Sequence, residues 1–186
     1  DPPFTTNASA VRVLGQPNMT SNASNAGEGR TQRGMSSPSH VDSDGQRLVV
    51  ADEKNWRVLI WDQLPTADFQ PASMMVGQKA WDAVNPNSDN TIELYHAAGV
   101  HLAAGRLYVS SAWDNRILLW NQLPTSLGQP ASSVLGQTDF EGFRPNDTRL
   151  APVDRLSYPM GISSAGDQLF IADRHNNRIV ITERPQ

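Results

Sequence analysis

The chain contains three copies of one sequence pattern. Residues 48–61 read LVVADEKNWRVLIW, residues 107–120 read LYVSSAWDNRILLW, and residues 169–182 read LFIADRHNNRIVIT. Upstream of each copy, a short apolar stretch ends in Gly-Gln, at positions 15–16, 77–78 and 136–137. The repeat unit is therefore about sixty residues long. Such a repeat predicts a series of similar structural units, each packed against its neighbours.

Each unit is predicted to be built from short strands. In the first unit, strands are expected at residues 38–42, 47–51 and 57–62, separated by the turn residues Asp44-Gly45 and Lys54-Asn55. The Gly-Gln stretch supplies a further strand, and about twenty polar residues form a long loop between units. No segment has sustained helical periodicity. The first two predicted strands align in all three units without a gap.

Four short antiparallel strands per unit are typical of a β-propeller blade, in which each sheet packs against the next. A β-sandwich is the alternative interpretation. A sandwich does not require its strands to be copies of one another at a fixed period, so the repeat favours the propeller. We therefore predict an all-β fold made of three four-stranded blades.

Three motifs in the last unit resemble an NHL repeat: YPMGI at residues 158–162, GDQLFIAD at 166–173 and NNRI at 176–179. The resemblance extends over nearly the whole chain. The second unit departs from it, with Ala97 and Ala98 where the others have Pro and with Ser111 where the others have Asp. NHL propellers include enzymes, sensor domains and RNA-binding modules, so the resemblance implies a fold and leaves the activity open.

The resemblance also implies an assembly. In the NHL pattern the first strand of a blade is innermost and the Gly-Gln strand is outermost. The expected organisation is a single module with an orphan outer strand at 11–16, blades at 35–77 and 94–136, and a three-stranded blade at 156–184. Propeller rings typically need at least four blades. We therefore predict a homodimer with six blades, in which each orphan strand completes the partner's last blade; the alternative is a segment of a longer propeller.

Composition makes several classes of partner improbable. The net charge of −4 and the pI near 5.5 argue against nucleic acid or anionic lipid, which require clustered positive charge. No apolar run approaches the roughly 20 residues that cross a bilayer, so no membrane insertion is expected. The absence of cysteine excludes disulfides. Because the chain resembles exported bacterial NHL-like proteins, an extracellular or periplasmic location is expected.

A ligand-binding surface is predicted where the long loops and the short loops after each second strand emerge on one face. Exposed aromatic side chains with polar neighbours suit stacking against sugars or gripping a peptide. We therefore predict a non-enzymatic module that recognises a glycan, peptide or protein. The alternative is that these side chains only pack the loops onto the blades. The candidates are Trp56, Trp81, Tyr95, His96, Trp113 and His175, with Phe140 and Phe143 nearby.

A metal-dependent lyase or hydrolase near the central channel is the competing prediction. NHL-type lyase domains use histidines near the channel, and His40, His96 and His101 lie on or just before inner strands. These three residues occupy different positions of the repeat, so a metal site is not favoured, and no cofactor is expected. No nucleophile-elbow motif is present, and no serine is singled out as a nucleophile.

Some charged residues recur in equivalent positions of the units. Groups that a scaffold needs once per unit appear once per unit, so we interpret these residues as structural ties within or between blades. The residues are Asp52, Arg57, Arg116, Asp173 and Arg178. The stretch DSDG at residues 42–45 resembles the opening of a calcium loop. It lies between two predicted strands, where a tight turn needs these residues, so we interpret it as a turn.

Overall fold

The computed structural model describes residues 8–84, 89–146 and 152–184. The fold is all-β and propeller-like: three antiparallel sheets stand side by side and are not closed into a barrel. The first sheet contains β1 (Pro38–Ser43), β2 (Leu48–Asp52), β3 (Arg57–Trp61) and β4 (Met74–Val76). Within these described ranges, no helix is long and apolar enough to cross a membrane.

The second and third sheets repeat this order. The second contains β5 (Ala97–Ala103), β6 (Arg106–Ser111), β7 (Arg116–Trp120) and β8 (Ser133–Leu135). The third contains β9 (Pro159–Ala165), β10 (Gln168–Asp173) and β11 (Arg178–Glu183). In every sheet a short 3-10 turn links the second strand to the third, at Glu53–Asn55, Ala112–Asp114 and Arg174–Asn176. A further 3-10 segment spans Ser24–Gly27.

The core lies between the sheets. Strands β1, β5 and β9 lie next to one another, and β4 and β8 are the outermost strands of their sheets. Alternation along each strand gives two apolar faces, because successive side chains point to opposite sides. Val58 and Ile60 pack against Leu118 and Trp120, so the first sheet and the second share one apolar cluster. A second cluster, which includes Leu119, joins the second sheet to the third.

The third sheet leaves one apolar face uncovered. Ile179 and Ile181 are 62% and 57% exposed, whereas Ile117 and Leu119, at the same repeat positions in the second sheet, are each 0% exposed. Within the described part of the chain, β11 pairs only with β10 and has no strand on its other side. The third sheet therefore presents both an apolar face and an open edge.

The first Gly-Gln stretch differs from its predicted conformation. Its residues form no strand in this structure, and only Gly15 makes an isolated parallel bridge, to Gly34. The reason is that no neighbouring strand is available to pair with it. The stretch is still held against the first sheet: the Phe69 N–H donates to the Val13 carbonyl at 2.9 Å, and Leu14 packs on the adjacent core. Completion of a partner's blade by residues 11–16 stays a prediction.

The recurring Asp and Arg residues fix the long loops. In the first unit, Arg57 Nε donates to Asp52 Oδ2 at 2.8 Å, and its other nitrogens donate to the carbonyls of Thr31, Gly34 and Trp81. In the third unit, Arg178 Nε likewise donates to Asp173 Oδ2 at 2.8 Å. Both aspartates are fully buried, so each arginine joins the centre of a sheet to the loop preceding it.

In the second unit, the carboxylate that contacts the recurring arginine comes from Asp114, three residues after the usual aspartate position. Ser111 stands at the aspartate position, and its Oγ donates to Asp114 Oδ2 at 2.6 Å, while Arg116 Nη2 lies 3.4 Å from the same oxygen. Burial raises the pKa of Asp114, because desolvation disfavours the charged form. The departure from the repeat at Ser111 is therefore compensated within the same turn.

Candidate functional site

Two positions of the repeat place side chains at one end of the sheets. The residue just before each first strand has a left-handed backbone: Ser37, His96 and Tyr158 have φ values of 52°, 63° and 53°. The middle residue of the 3-10 turn donates a backbone hydrogen bond to the residue that precedes this left-handed position. The Trp113 N–H donates to the Tyr95 carbonyl at 3.2 Å, and the His175 N–H donates to the Ser157 carbonyl at 3.0 Å. Both positions are aromatic in the second and third units.

These aromatic side chains meet in a continuous row, which we call the aromatic row: Trp113, His96, Tyr158 and His175. The Trp113 and His96 rings are stacked, with centroids 5.5 Å apart and planes 7° apart. His96 approaches Tyr158 at 5.6 Å, and Tyr158 stacks on His175 at 4.5 Å. These separations lie in the range of favourable aromatic pairs. The row therefore bridges the second sheet and the third, and Trp113 at its end is 61% exposed.

Charged groups of both signs flank the row. His96 Nε2 lies 2.9 Å from Glu53 Oε1 of the first unit, and the Arg174 guanidinium lies 5.4 Å from the centre of the Tyr158 ring. The other ring nitrogen of His96, Nδ1, is buried and has no hydrogen-bond partner among the described residues. A carboxylate, which accepts hydrogen bonds, and a guanidinium, which donates them, therefore both lie beside the row.

The remaining aromatic candidates are placed outside the row. Trp56 is covered by the Arg30 guanidinium at 4.9 Å from the ring centre, and Trp81 packs on the core of the first sheet. Tyr95 lies beside the turn, where burial and the carboxylates of Glu93 and Asp114 raise the pKa of its phenol. We therefore assign Trp56 and Trp81 a packing role in the loops.

The three histidines proposed as weak metal candidates do not converge. Nδ1 of His40 lies 3.0 Å from the carbonyl of Val100, His96 contacts Glu53, and His101 contacts Asp42. Over residues 8–84, 89–146 and 152–184, no group of three or more His, Asp or Glu side chains is arranged to hold a metal ion. The histidines instead make separate contacts between neighbouring sheets.

Sequence reasoning did not include Tyr158 among the ligand-binding candidates. The residue stands at the repeat position of His96, directly before the first strand of its sheet, and links the two halves of the row. Aligning the units at this position would have identified it. No sequence feature indicates that Trp113 stacks on His96. The stacking depends on the left-handed backbone of His96, and a non-glycine residue in this conformation is not recognisable from the sequence.

No protein-family model and no curated protein matches the chain. Among solved structures, the glutaminyl cyclase of Myxococcus xanthus is similar over 79% of this chain, at 12% identity and a TM-score of 0.43. The chain spans 53% of that cyclase. The computationally designed protein Ika4 is similar over 81% of this chain and 92% of its own length, at 11% identity and a TM-score of 0.36. Likenesses this distant carry no argument about function.

Proposed function

We propose that the chain is a recognition module that binds a carbohydrate chain on the aromatic row. The observation that carries this proposal is the continuous row of ring contacts from Trp113 to His175, stacked at both ends and tilted between His96 and Tyr158. The row ends in a largely exposed indole. Flat aromatic faces are complementary to the apolar C–H faces of sugar rings, and their polar edges and neighbours fix orientation.

The charged side chains beside the row favour an uncharged sugar over a peptide that carries a net charge. Glu53 supplies acceptor oxygens and Arg174 supplies donor N–H groups beside the row. A hydroxyl group both donates and accepts hydrogen bonds, so a ligand rich in hydroxyls satisfies both kinds of neighbour without carrying a net charge. Recognition of this kind requires no chemical step and no cofactor.

The proposal is tested by isothermal titration with soluble polysaccharides, namely a β-glucan, a xylan and a mannan, while tryptophan fluorescence is followed in parallel. We expect one of them to bind and to change the indole emission. Trp113→Ala should weaken that binding at least tenfold, because the ring supplies the exposed stacking face. Phe143→Ala is the matched control, since Phe143 is similarly exposed, at 59%, but lies outside the row; it should leave the affinity unchanged.

Two results would contradict the proposal. One is equal affinity in the Trp113→Ala variant and the unmodified chain. The other is binding of unmodified short peptides with no binding of any polysaccharide, which would identify the row as a peptide site.

We further propose that the three sheets are NHL-type propeller blades and that a chain of these 186 residues pairs with a second copy to form a six-bladed ring. The exposed Ile179 and Ile181 support this assembly, since the same positions are covered by the next sheet in the first two units. The position of Gly15 also supports this assembly. A Cβ at Gly15 would lie 3.2 Å from Met35, and a Cβ at Gly136 would meet Leu156, which stands at the same repeat position as Met35. Gly15 thus contacts the following sheet in the way that Gly136, which follows an outer strand, contacts its own next sheet.

The proposed location is extracellular or periplasmic, as the resemblance to exported bacterial NHL-like proteins suggests. A carbohydrate ligand is compatible with that setting. Fractionation of cells that express the natural gene would test the location independently of binding: recovery of the chain outside the cytoplasmic membrane is expected, and recovery only inside it would contradict the proposal.

A further inference from the structure

Three polar side chains from three different sheets form a linear hydrogen-bonded chain away from the aromatic row. His101 in β5 reaches Asp42 in β1 on one side and Ser164 in β9 on the other. His101 Nδ1 lies 2.8 Å from Asp42 Oδ2, and His101 Nε2 lies 2.9 Å from Ser164 Oγ. We propose that Asp42, His101 and Ser164 form a nucleophilic site in which Ser164 attacks the carbonyl carbon of small esters.

The order of hydrogen bonds fixes the proton positions that such a site needs. An ionised carboxylate only accepts hydrogen bonds, so Nδ1 of His101 carries the proton that is donated to Asp42. Nε2 of the neutral ring is then an acceptor, and the Ser164 hydroxyl donates to it. A hydroxyl in hydrogen-bond reach of a base, itself oriented by a third group, is the arrangement by which serine is activated on unrelated folds.

Asp42 is held rigidly in the role of the orienting acid. Its Oδ2 also accepts from the Leu102 N–H at 2.8 Å, and its Oδ1 accepts from the Ser43 N–H at 2.8 Å. These bonds hold the carboxylate in one orientation. The His101 imidazole is therefore oriented by a carboxylate, Asp42, that two backbone N–H groups hold in place.

All three side chains of the site are partly exposed to solvent. The side chains of His101 and Asp42 are 15% and 28% exposed, and Ser164 is partly exposed. All three lie on β1, β5 and β9, which are edge strands of their sheets. Edge strands direct alternate backbone N–H groups away from the sheet. Ser164 stands at the repeat position of Leu102, whose N–H points out of the edge to Asp42, so the Ser164 N–H is placed to donate to an oxyanion.

The proposed reaction consumes an ester and water and yields an acid and an alcohol. The Oγ of Ser164 forms a bond to the carbonyl carbon while its proton passes to Nε2 of His101. The bond to the leaving alkoxide then breaks, and the alkoxide takes that proton and departs as the alcohol. Water, deprotonated by Nε2, attacks the acyl-serine and releases the carboxylic acid, and the proton returns to Ser164 Oγ.

Covalent labelling of the full 186-residue chain tests the site. We expect a fluorophosphonate probe to add once per chain and peptide mass mapping to place the adduct on Ser164. p-Nitrophenyl acetate should be hydrolysed with a burst. His101→Gln should lower the labelling rate about a hundredfold, as removal of a general base does, and Asp42→Asn should lower it by at least tenfold.

The matched control is Ser163→Ala. Ser163 is the adjacent serine, is exposed and pairs with Phe170 on the opposite face of the sheet, so its loss should leave labelling unchanged. Each variant is accepted only with an unfolding curve that matches the unmodified chain. A purely structural hydrogen-bonded chain would give no adduct on Ser164.

The proposal is overturned by absence of labelling in the unmodified chain, by an adduct on any other serine, or by a rate that His101→Gln leaves unchanged. Mapping the unmodified chain answers the question even if a variant fails to fold. Because polysaccharide binding is measured on the same preparation, failure at Ser164 leaves the recognition proposal standing, and the reverse also holds.

Discussion

The second and third sheets carry the same apolar pattern but bury it to different extents. Leu119 in β7 is 0% exposed because the third sheet covers it, whereas Ile181, at the same position of β11, is 57% exposed. The two strands are similar in sequence, with RILLW at residues 116–120 and RIVIT at residues 178–182. The repeat therefore encodes an apolar face for a neighbouring sheet, and the burial of that face depends on whether the neighbour is present.

The largest loss of stability is expected for a substitution on the face of the second sheet that the third sheet covers. Leu119→Ala removes a fully buried side chain from the cluster between the second and third sheets, so the free energy of unfolding should fall by about 2–5 kcal/mol. Urea denaturation followed by circular dichroism measures this change. A loss below about 1 kcal/mol would mean that the two sheets do not pack as described.

A smaller effect should distinguish the glycines of two Gly-Gln pairs, Gly136 and Gly15. A Cβ at Gly136 would lie 2.5 Å from Leu156 Cδ1, whereas one at Gly15 would lie 3.2 Å from the flexible Met35 side chain. Both glycines have positive φ, 85° and 82°, so the backbone strain of an alanine is similar at both. Gly136→Ala should therefore destabilise the chain by about 1–3 kcal/mol more than Gly15→Ala. Equal losses in matched urea titrations would contradict this difference.

The smallest effect on the stability of a single chain is expected at the uncovered face. Ile181→Asp should change the free energy of unfolding, measured at high dilution, by no more than about 0.5 kcal/mol. The same substitution places a charge in the proposed contact between copies, so it should shift the population from dimer to monomer in sedimentation velocity. Gln122→Asp adds the same charge at an exposed position in the loop between β7 and β8 of the second sheet, away from this face, and is the control. An unchanged sedimentation profile for Ile181→Asp would contradict docking on this face.

Much of the fold could be predicted from the sequence, because strand positions follow from local pattern and repetition. The predicted strands at 38–42 and 57–62 differ from β1 and β3 by one residue at one end, and the all-β, propeller-like arrangement is confirmed. Residues 11–16 were expected as a strand and form none in a single chain, since strand pairing depends on a neighbour that local sequence does not supply.

The candidate sites were less predictable, because they depend on contacts between units. Trp113, His96 and His175 were named as candidates, but their stacking depends on left-handed corners at His96 and Tyr158. Asp42 and His101 occupy the same repeat position and Ser164 stands one residue beyond it, and the three side chains meet only after three sheets have packed side by side. No local motif marks that meeting, and Asp42 alone looks like part of a turn.

The molar mass in solution tests the central claim most directly. We expect the chain, whose own mass is 20.4 kDa, to elute as one species with twice that mass by light scattering, and the Ile181→Asp variant to have the mass of a single chain. A folded, monodisperse species with the mass of one chain at micromolar concentration would contradict the proposed pairing of copies.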